Sequence, residues 1–204
     1  MKTAAKTLTH IVASLSAATL IGCSGGAETE TDTSNIDIGF EANGWQLVWS
    51  DDFDGSAINS QNWTHEVNCQ GGGNNEQQCY TDDAANSYVS DGKLHIVALP
   101  AEEGAEKPYT SARLVTKNKA DFKYGRFEVR AKLPSGQGSW PAFWMLPTDE
   151  VYGGWPKSGE IDIVESVNLG VTDDEGNVEN HIYGTLHYGK AWPDNVHSGR
   201  AYAL

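Results

Sequence analysis

Basic residues are scarce in this sequence of 204 residues, because 14 Lys and Arg stand against 28 Asp and Glu and leave a net charge of −14 with histidine neutral. A surface that binds nucleic acid needs clustered Lys and Arg to neutralise phosphates, so we expect no nucleic-acid partner. Sulfated or uronic polysaccharides would be repelled as well, unless a basic cleft were built. A neutral polysaccharide remains compatible with this acidic composition.

The sequence also lacks internal repeats and long segments with the 3.6-residue period of an amphipathic helix. It has instead short apolar and aromatic runs bounded by Gly, Pro and Asp turn signals, a spacing that predicts antiparallel strands and an all-β fold. A β-sandwich of about 200 to 250 residues commonly forms one domain. The runs that illustrate the pattern are Trp45–Trp49, Lys93–Ala98 and Arg126–Leu133.

Long hydrophobic runs are absent as well: the apolar stretch 8–21 is short and contains several Ser and Thr, which disfavours a transmembrane helix. Lys2 and Lys6 precede that stretch and Leu20-Ile-Gly-Cys23 follows it, which predicts a signal peptide over residues 1–22. The final tetrapeptide resembles a bacterial lipobox. A plain signal peptide that happens to end near a cysteine is the alternative.

A lipobox would make Cys23 the first residue of the mature chain and the site of lipidation. Several acyl chains anchor a protein stably where one would not. Residues 23–42 then read as a flexible acidic tether with almost nothing to bury, and Ser24 resembles a signal for outer-membrane sorting. We therefore expect an exported protein that is lipid-anchored to the bacterial cell envelope, with the catalytic or binding domain in residues 43–204.

Cysteine is rare too, with only three residues in the chain. If Cys23 is lipidated, Cys69 and Cys79 remain as an even pair in an oxidising compartment. A disulfide between them is plausible, and two free thiols are the alternative that sequence leaves open.

Acidic residues are concentrated in one strand-like segment, Glu160-Ile-Asp162-Ile-Val-Glu165. Side chains alternate faces along a strand, so Glu160 and Asp162 share a face and Glu165 falls out of phase by one residue. A single bulged residue at 163 or 164 would return Glu165 to the acidic face. Carboxyl groups at such spacing suit a retaining glycosidase, whereas a half-buried strand with a wet acidic face and a carboxylate metal site are the competing interpretations.

Several motifs in order resemble the bacterial laminarinases of glycoside hydrolase family 16, over roughly residues 43–204. The resemblance implies a concanavalin A-like jelly-roll β-sandwich and retaining, endo-acting hydrolysis of β-1,3-glucosidic bonds in laminarin-type β-glucans. The family continues through further strands, so we expect the fold to be incomplete at the C-terminus. The motifs are Leu47-Val-Trp-Ser-Asp-Asp-Phe-Asp-Gly55, Gly73-Asn-Asn-Glu-Gln-Gln-Cys-Tyr-Thr81, Ser111-Ala-Arg-Leu-Val-Thr116, Tyr124–Pro134, Trp140-Pro-Ala-Phe-Trp-Met-Leu146, Glu160–Glu165 and Gly184-Thr-Leu-His-Tyr188.

The same resemblance implies catalytic roles for the three acids. Glu160 is similar to the nucleophile and Glu165 to the acid that protonates the leaving oxygen and then activates water. Asp162 would hydrogen-bond the nucleophile and steady its charge. Crowding of the carboxylates favours one ionised and one protonated partner, because neighbouring like charges raise one pKa.

Substrate-binding roles are also implied by the resemblance. Trp140 and Trp155 match cleft tryptophans, Arg113 matches an arginine near the cleaved bond, and His187 matches a position beside the acid/base. Trp45, Trp49 and Trp144 fit packing roles as well. The residues that match donor-side sugar contacts are Asn74, Asn75 and Glu76, and the sequence does not decide which asparagine faces the cleft.

For the remaining properties, we expect a monomer that requires no cofactor, with no metal in the catalytic site and a structural Ca²⁺ as an option that the family allows. The Glu-x-Asp-x-x-Glu spacing looks like laminarinases and is one residue longer than the motif of bacterial lichenases. Two alternatives stay open: another family 16 hydrolase acting on mixed-linkage β-glucan or agarose, and a glucan-binding protein without turnover.

Overall fold

The computed structural model describes residues 7–9, 44–70, 72 and 74–204. Within these ranges the chain forms twelve β-strands and no α-helix, so the predicted all-β class is confirmed. The lipidation site Cys23 and the tether 23–42 lie outside the described residues, as does the signal peptide apart from the backbone of residues 7–9. No helix in the part that the structure describes is long and apolar enough to cross a membrane.

The strands are short in the N-terminal half and longer toward the C-terminus. In chain order they are β1 Thr7–Thr9, β2 Thr64–Glu66, β3 Gln78–Tyr80, β4 Ser87–Val89, β5 Leu94–Val97, β6 Leu99–Pro100, β7 Tyr109–Ser111, β8 Arg113–Val115, β9 Ala142–Met145, β10 Glu160–Glu165, β11 His181–Gly189 and β12 Asn195–Ala203.

These strands pair into four sheets. Three of them are small, with orders β1-β5-β4, β2-β8 and β3-β7-β6, and β3 pairs with β7 in parallel. The fourth has the order β12-β11-β10-β9 and is antiparallel throughout. Because β10 has a paired neighbour on each side, two hydrogen-bonded ladders hold its backbone. The face to which each of its side chains points is therefore fixed.

The main apolar cluster lies beside the small sheets. Phe53, Trp63, Val89 and Leu94 are buried there, and Trp49 and other apolar side chains pack around them. Trp63 also donates a hydrogen bond of 2.8 Å to Asp51 from its indole nitrogen, which satisfies the polar edge of a buried ring. The packing role predicted for Trp49 is therefore confirmed, whereas Trp45 is 44% exposed and lies outside this cluster.

Two of the predicted strands do not form. Trp45–Trp49 has no strand assignment, and Arg126–Leu133 holds only a one-residue bridge at Lys132. Phe127 and Val129 are half-buried between exposed neighbours, so the alternation of a strand is present although a regular ladder is absent. Alternation determines which side chains are buried, but a strand also needs a neighbouring strand to receive its backbone hydrogen bonds.

Candidate active site

The candidate site is the face of the four-stranded sheet onto which β10 directs its acids. Glu160 pairs with His187 of β11, and Asp162 pairs with Thr185 of the same strand. Glu165 pairs with Tyr183, two residues further along. Residues two apart on a strand share a face, so the regular partner strand shows that all three carboxylates point to the same side.

The bulge predicted for β10 is present at Ile163. On β9, Asp162 faces Trp144 and Val164 faces Phe143, so Ile163 has no partner of its own. This one extra residue shifts the phase of everything after it. It converts an out-of-phase Glu165 into the third member of a row of acids.

Two exposed tryptophans donate indole hydrogen bonds to the outer two acids. Trp155 Nε1 donates to Oε2 of Glu160, and Trp140 Nε1 donates to Oε1 of Glu165 at 2.9 Å. Trp155 is 45% exposed and Trp140 is 47% exposed. The predicted cleft tryptophans therefore lie beside the predicted nucleophile and acid/base, with ring surface left open to solvent.

The loop before β10 is shaped to bring Trp155 back over Glu160. Gly159 has φ of +92°, a conformation that residues with a side chain rarely adopt, and its amide donates to the carbonyl of Pro156 at 3.0 Å. The chain therefore turns sharply just before the strand begins. This turn explains why Trp155 and Glu160, five residues apart, touch.

Asp162 is the buried member of the row, with 4% of its surface exposed. Burial, followed by the negative charges of Glu160 and Glu165 and a hydrogen bond with Glu160, raises the pKa of Asp162 to about 7. A carboxyl group with that pKa is protonated over much of the acidic range. It can then donate a hydrogen bond to Glu160, which leaves the negative charge on Glu160.

His187 lies at the middle of the site. Its Nε2 is 3.3 Å from Oδ2 of Asp162, which is within ion-pair range although it does not form a hydrogen bond. Its ring centroid is 6.0 Å from that of Trp155 and 6.0 Å from that of His197, its partner on β12. The structure thus places His187 against the acid row and also beside the nucleophile side of the cleft.

A second polar group lies against Trp144 of β9 and contains Arg113 and Glu76. The Arg113 guanidinium lies 4.5 Å from the ring centroid of Trp144 and its Nε is 2.9 Å from Oε2 of Glu66. Glu76 accepts hydrogen bonds from Tyr80 at 2.5 Å and from Gln78. Because Trp144 faces Asp162 across the β9–β10 ladder, this group adjoins the acid row.

Tyr80 connects the two charged members of this group. Its hydroxyl donates to Glu76, and the Arg113 guanidinium lies 5.8 Å from its ring centroid. Burial, the hydrogen bond and the charge of Glu76 raise the pKa of Tyr80 to about 12, so it remains a donor at any physiological pH.

The loop before β3 carries the two predicted asparagines. Asn74 and Asn75 are both exposed, and Asn75 has φ of +56°. The sulfur atoms of Cys69 and Cys79 are bonded, with 4.1 Å between the Cα atoms, so the loop is closed by a disulfide. The structure brings Glu76 near Arg113, because both side chains border Gly72, whereas the two asparagines are exposed.

Sequence reasoning missed four contributors to the site. Trp144 had been assigned to packing, and Tyr80, His197 and the exposed Trp192 had no assigned role. The close spacing of Glu76 and Tyr80 is a weak local signal, because both lie in one matched motif. The other contacts join distant parts of the chain and have no sequence signal.

A metal site would need several ligating side chains held close together. The described ranges contain no group of three or more His, Cys, Asp or Glu side chains arranged to hold a metal ion. The structural Ca²⁺ that the resemblance allows therefore stays a prediction without an identified site.

A β-sheet face with a row of carboxylates, flanked by open tryptophan rings, is the kind of site that glycoside hydrolases use. Comparison with known proteins supports this class of site. Residues 97–181 match the family model described as XgeA-like, catalytic GH16 domain. A glucan endo-1,3-beta-glucosidase from Cryptopygus antarcticus is 47% identical over 161 residues, covering 76% of this chain and 55% of the relative.

Two solved structures extend the comparison to three dimensions. The laminarinase from Rhodothermus marinus matches with a TM-score of 0.69 and 41% identity, covering 78% of this chain and 62% of that one. LamA from Z. galactanivorans, solved as a variant with laminaritriose and laminaritetraose, matches with a TM-score of 0.62 and 36% identity, covering 78% of this chain and 67% of that one.

The chain belongs to glycoside hydrolase family 16. Its fold is the jelly-roll β-sandwich of its laminarinase neighbours, as the resemblance implied. It spans 55% of the length of the curated relative and about two thirds of the solved chains.

Proposed function

We propose that this chain performs retaining, endo-acting hydrolysis of β-1,3-glucosidic bonds in laminarin-type β-glucans. The observation that carries the proposal is the bulge at Ile163, because it aligns Glu160, Asp162 and Glu165 on one sheet face. Gathering like charges on one face destabilises a strand, so a strand with only a structural role would not be expected to contain this bulge. The names of the relatives support the substrate class.

In the first chemical step, the Glu160 carboxylate attacks the anomeric carbon and the glycosidic C–O bond breaks. Glu165 gives its proton to the departing oxygen, so the leaving sugar departs as an alcohol. Glu160 is then joined to the sugar as an ester. In the second step water attacks the same carbon, passes its proton to Glu165 and frees Glu160.

Asp162 keeps Glu160 in the ionised state that the first step needs, and the indoles orient both glutamates. A protonated Asp162 donates to Glu160, which holds the nucleophile as an anion and in position. Trp155 donates to Glu160 and Trp140 to Glu165, so each glutamate has a fixed orientation. Positioning of this kind lowers the entropic part of the barrier.

The substrate class is tested by assaying laminarin, barley mixed-linkage glucan, agarose and carrageenan side by side. We expect reducing ends to appear fastest from laminarin, with oligosaccharides as early products because cleavage is internal. Proton NMR during hydrolysis should show the β-anomer first. Preference for barley glucan or agarose would instead select another hydrolase of the same family, and an α-anomer would contradict retention.

A glucan-binding protein without turnover is the second candidate. It predicts that laminarin is bound but never cleaved. The presence of both Glu160 and Glu165, each with an indole donor, favours the hydrolase. Binding measured by affinity electrophoresis, in parallel with reducing-end release, separates the two.

We also propose that the protein is exported and lipid-anchored to the bacterial cell envelope through Cys23. The support is the tetrapeptide Leu20-Ile-Gly-Cys23 and the acidic segment that follows it. An anchored hydrolase would act on polysaccharide outside the cell.

A further inference from the structure

We propose that Trp192, on the turn between β11 and β12, is a further substrate-binding residue that stacks on an acceptor-side sugar ring of the β-glucan. This proposal rests on the proposed function, since it assigns one more binding position to the same cleft.

Trp192 is the most exposed of the seven tryptophans, at 69%. An indole presents a large flat apolar face, which water solvates poorly and which a sugar ring can cover. A single exposed aromatic residue needs no explanation, but the position of this one is informative. Its ring centroid lies 6.0 Å from that of Trp155 with 33° between the planes.

Through this contact Trp192 continues the aromatic surface of the cleft. Trp155 touches both Glu160, by its indole hydrogen bond, and His187, by a ring contact of 6.0 Å. Trp192 is therefore one ring away from the predicted nucleophile. The two indoles, here called the platform, are in contact, and Trp192 adds its own exposed surface to that of Trp155.

The sheet order shows on which flank the platform lies. The order β12-β11-β10-β9 puts the β11–β12 turn on one side of β10 and Trp144 of β9 on the other. Arg113 lies over Trp144, and Glu76 adjoins Arg113. Trp192 and the group of Arg113 and Glu76 therefore lie on opposite flanks of β10. The proposal assigns the Trp192 flank to the acceptor sugars, and the kinetic test below decides between the two flanks.

The turn that carries Trp192 is well held. The β11–β12 ladder pairs without interruption from His181 with Ala203 to Gly189 with Asn195, next to the turn. Within the turn, the amide of Asp194 donates to the carbonyl of Ala191 at 2.9 Å. A preorganised ring loses little conformational entropy when a ligand covers it, so the platform can contribute net binding energy.

An acceptor-side platform has a specific kinetic consequence. It stabilises the part of the polysaccharide that leaves in the first step, and so helps long substrates. It does not help a substrate whose leaving group is too small to reach it. Laminaribiosyl fluoride is such a substrate, because it carries donor-side sugars and a single-atom leaving group.

The test compares Trp192→Ala and Trp192→Phe with the unaltered full chain on laminarin and on laminaribiosyl fluoride. We expect kcat/KM on laminarin to fall about tenfold in Trp192→Ala, the effect of losing one stacking contact, with the fluoride reaction unchanged. Trp192→Phe should retain most of the laminarin activity. Tyr202→Ala is the matched control, since Tyr202 is 57% exposed on the opposite face of β12, and neither reaction should change.

Three results would overturn the proposal. Equal losses on both substrates would mean that Trp192 acts on the donor side or only supports Trp155, and an unchanged rate on laminarin would mean that no sugar stacks there. A loss in Trp192→Phe as large as in Trp192→Ala would assign the effect to the indole N–H. If the unaltered chain cleaves neither substrate, the proposed function itself fails, which is distinguishable from all three.

Discussion

Oδ2 of Asp162 lies 3.3 Å from Nε2 of His187, in the centre of the sheet face that carries Glu160 and Glu165. This pair puts a buried carboxyl group between two other acids and a histidine. Neutral Asp162 is the state that this environment favours, because a third negative charge there would face two like charges without water. The pair therefore links the pH of the solution to both folding and catalysis.

The first prediction concerns the pH dependence of stability. The pKa of Asp162 rises from 3.8 to about 7 on folding, so between these values the folded chain binds a proton that the unfolded chain releases. The contribution of this group is fully present below about pH 4 and is lost as the pH rises through about 7. Asp162→Asn should therefore show a smaller fall in the free energy of unfolding across this range.

Urea unfolding at several pH values measures this difference. Asp174→Asn is the matched control, because Asp174 is exposed, and its profile should run parallel to that of the unaltered chain. Parallel profiles for Asp162→Asn as well would contradict a raised pKa at this position.

The second prediction concerns the two glutamates. Glu160→Gln and Glu165→Gln should each lower kcat by roughly a factor of 10³ or more, because both groups act on the transition state. The affinity for laminarin-oligosaccharides, measured by calorimetry, should change little. Turnover close to that of the unaltered chain in either variant would remove the assignment.

Azide separates the two roles. With activated substrates, azide added to Glu160→Ala should give an inverted glycosyl azide, because it attacks directly where the nucleophile is missing. With Glu165→Ala it should give a retained product, because the glycosyl-enzyme still forms. The opposite stereochemistry would exchange the assignments.

The third prediction separates the two contributions of Trp140. Trp140→Phe keeps an aromatic face but removes the 2.9 Å hydrogen bond to Glu165, so kcat should fall by about tenfold with little change in KM. Trp140→Ala removes the face as well and should raise KM further. Identical kinetic constants for the two variants would show that the indole donor and the ring face are not separable here.

The fourth prediction concerns the disulfide. Closing the loop between Cys69 and Cys79 should contribute roughly 2 to 3 kcal/mol, so the double change to serine should lower the free energy of unfolding by that amount. Because the closed loop carries Glu76, KM for laminarin should rise as well. Unchanged stability under reducing and oxidising conditions would contradict this contribution.

The fifth prediction concerns the anchor. Cys23→Ser should release the protein from the membrane fraction into the soluble fraction, because a serine cannot carry the thioether-linked lipid. Ser24→Ala is the control, since it leaves the lipidated residue intact and should keep the protein in the membrane fraction. Membrane association that persists in Cys23→Ser would disprove the lipobox interpretation.

Sequence alone was sufficient to predict the all-β class and the row of acids. The phase of Glu160, Asp162 and Glu165 could be counted along the strand, and one bulged residue was the smallest correction that aligned them. Both inferences depend on local periodicity, which a single segment carries within itself.

Tertiary structure decided how the rest of the site is assembled. Its main contacts join residues that are distant in sequence or lie in different loops. They are the pairing of Glu160 with His187, the contact of Arg113 with the Trp144 ring, and the contact of Trp192 with Trp155. Nothing in the local pattern specifies such partners, just as alternation in Arg126–Leu133 does not provide a neighbouring strand. A sequence records which face a side chain takes, whereas the identity and distance of its neighbours depend on how the sheets pair and close.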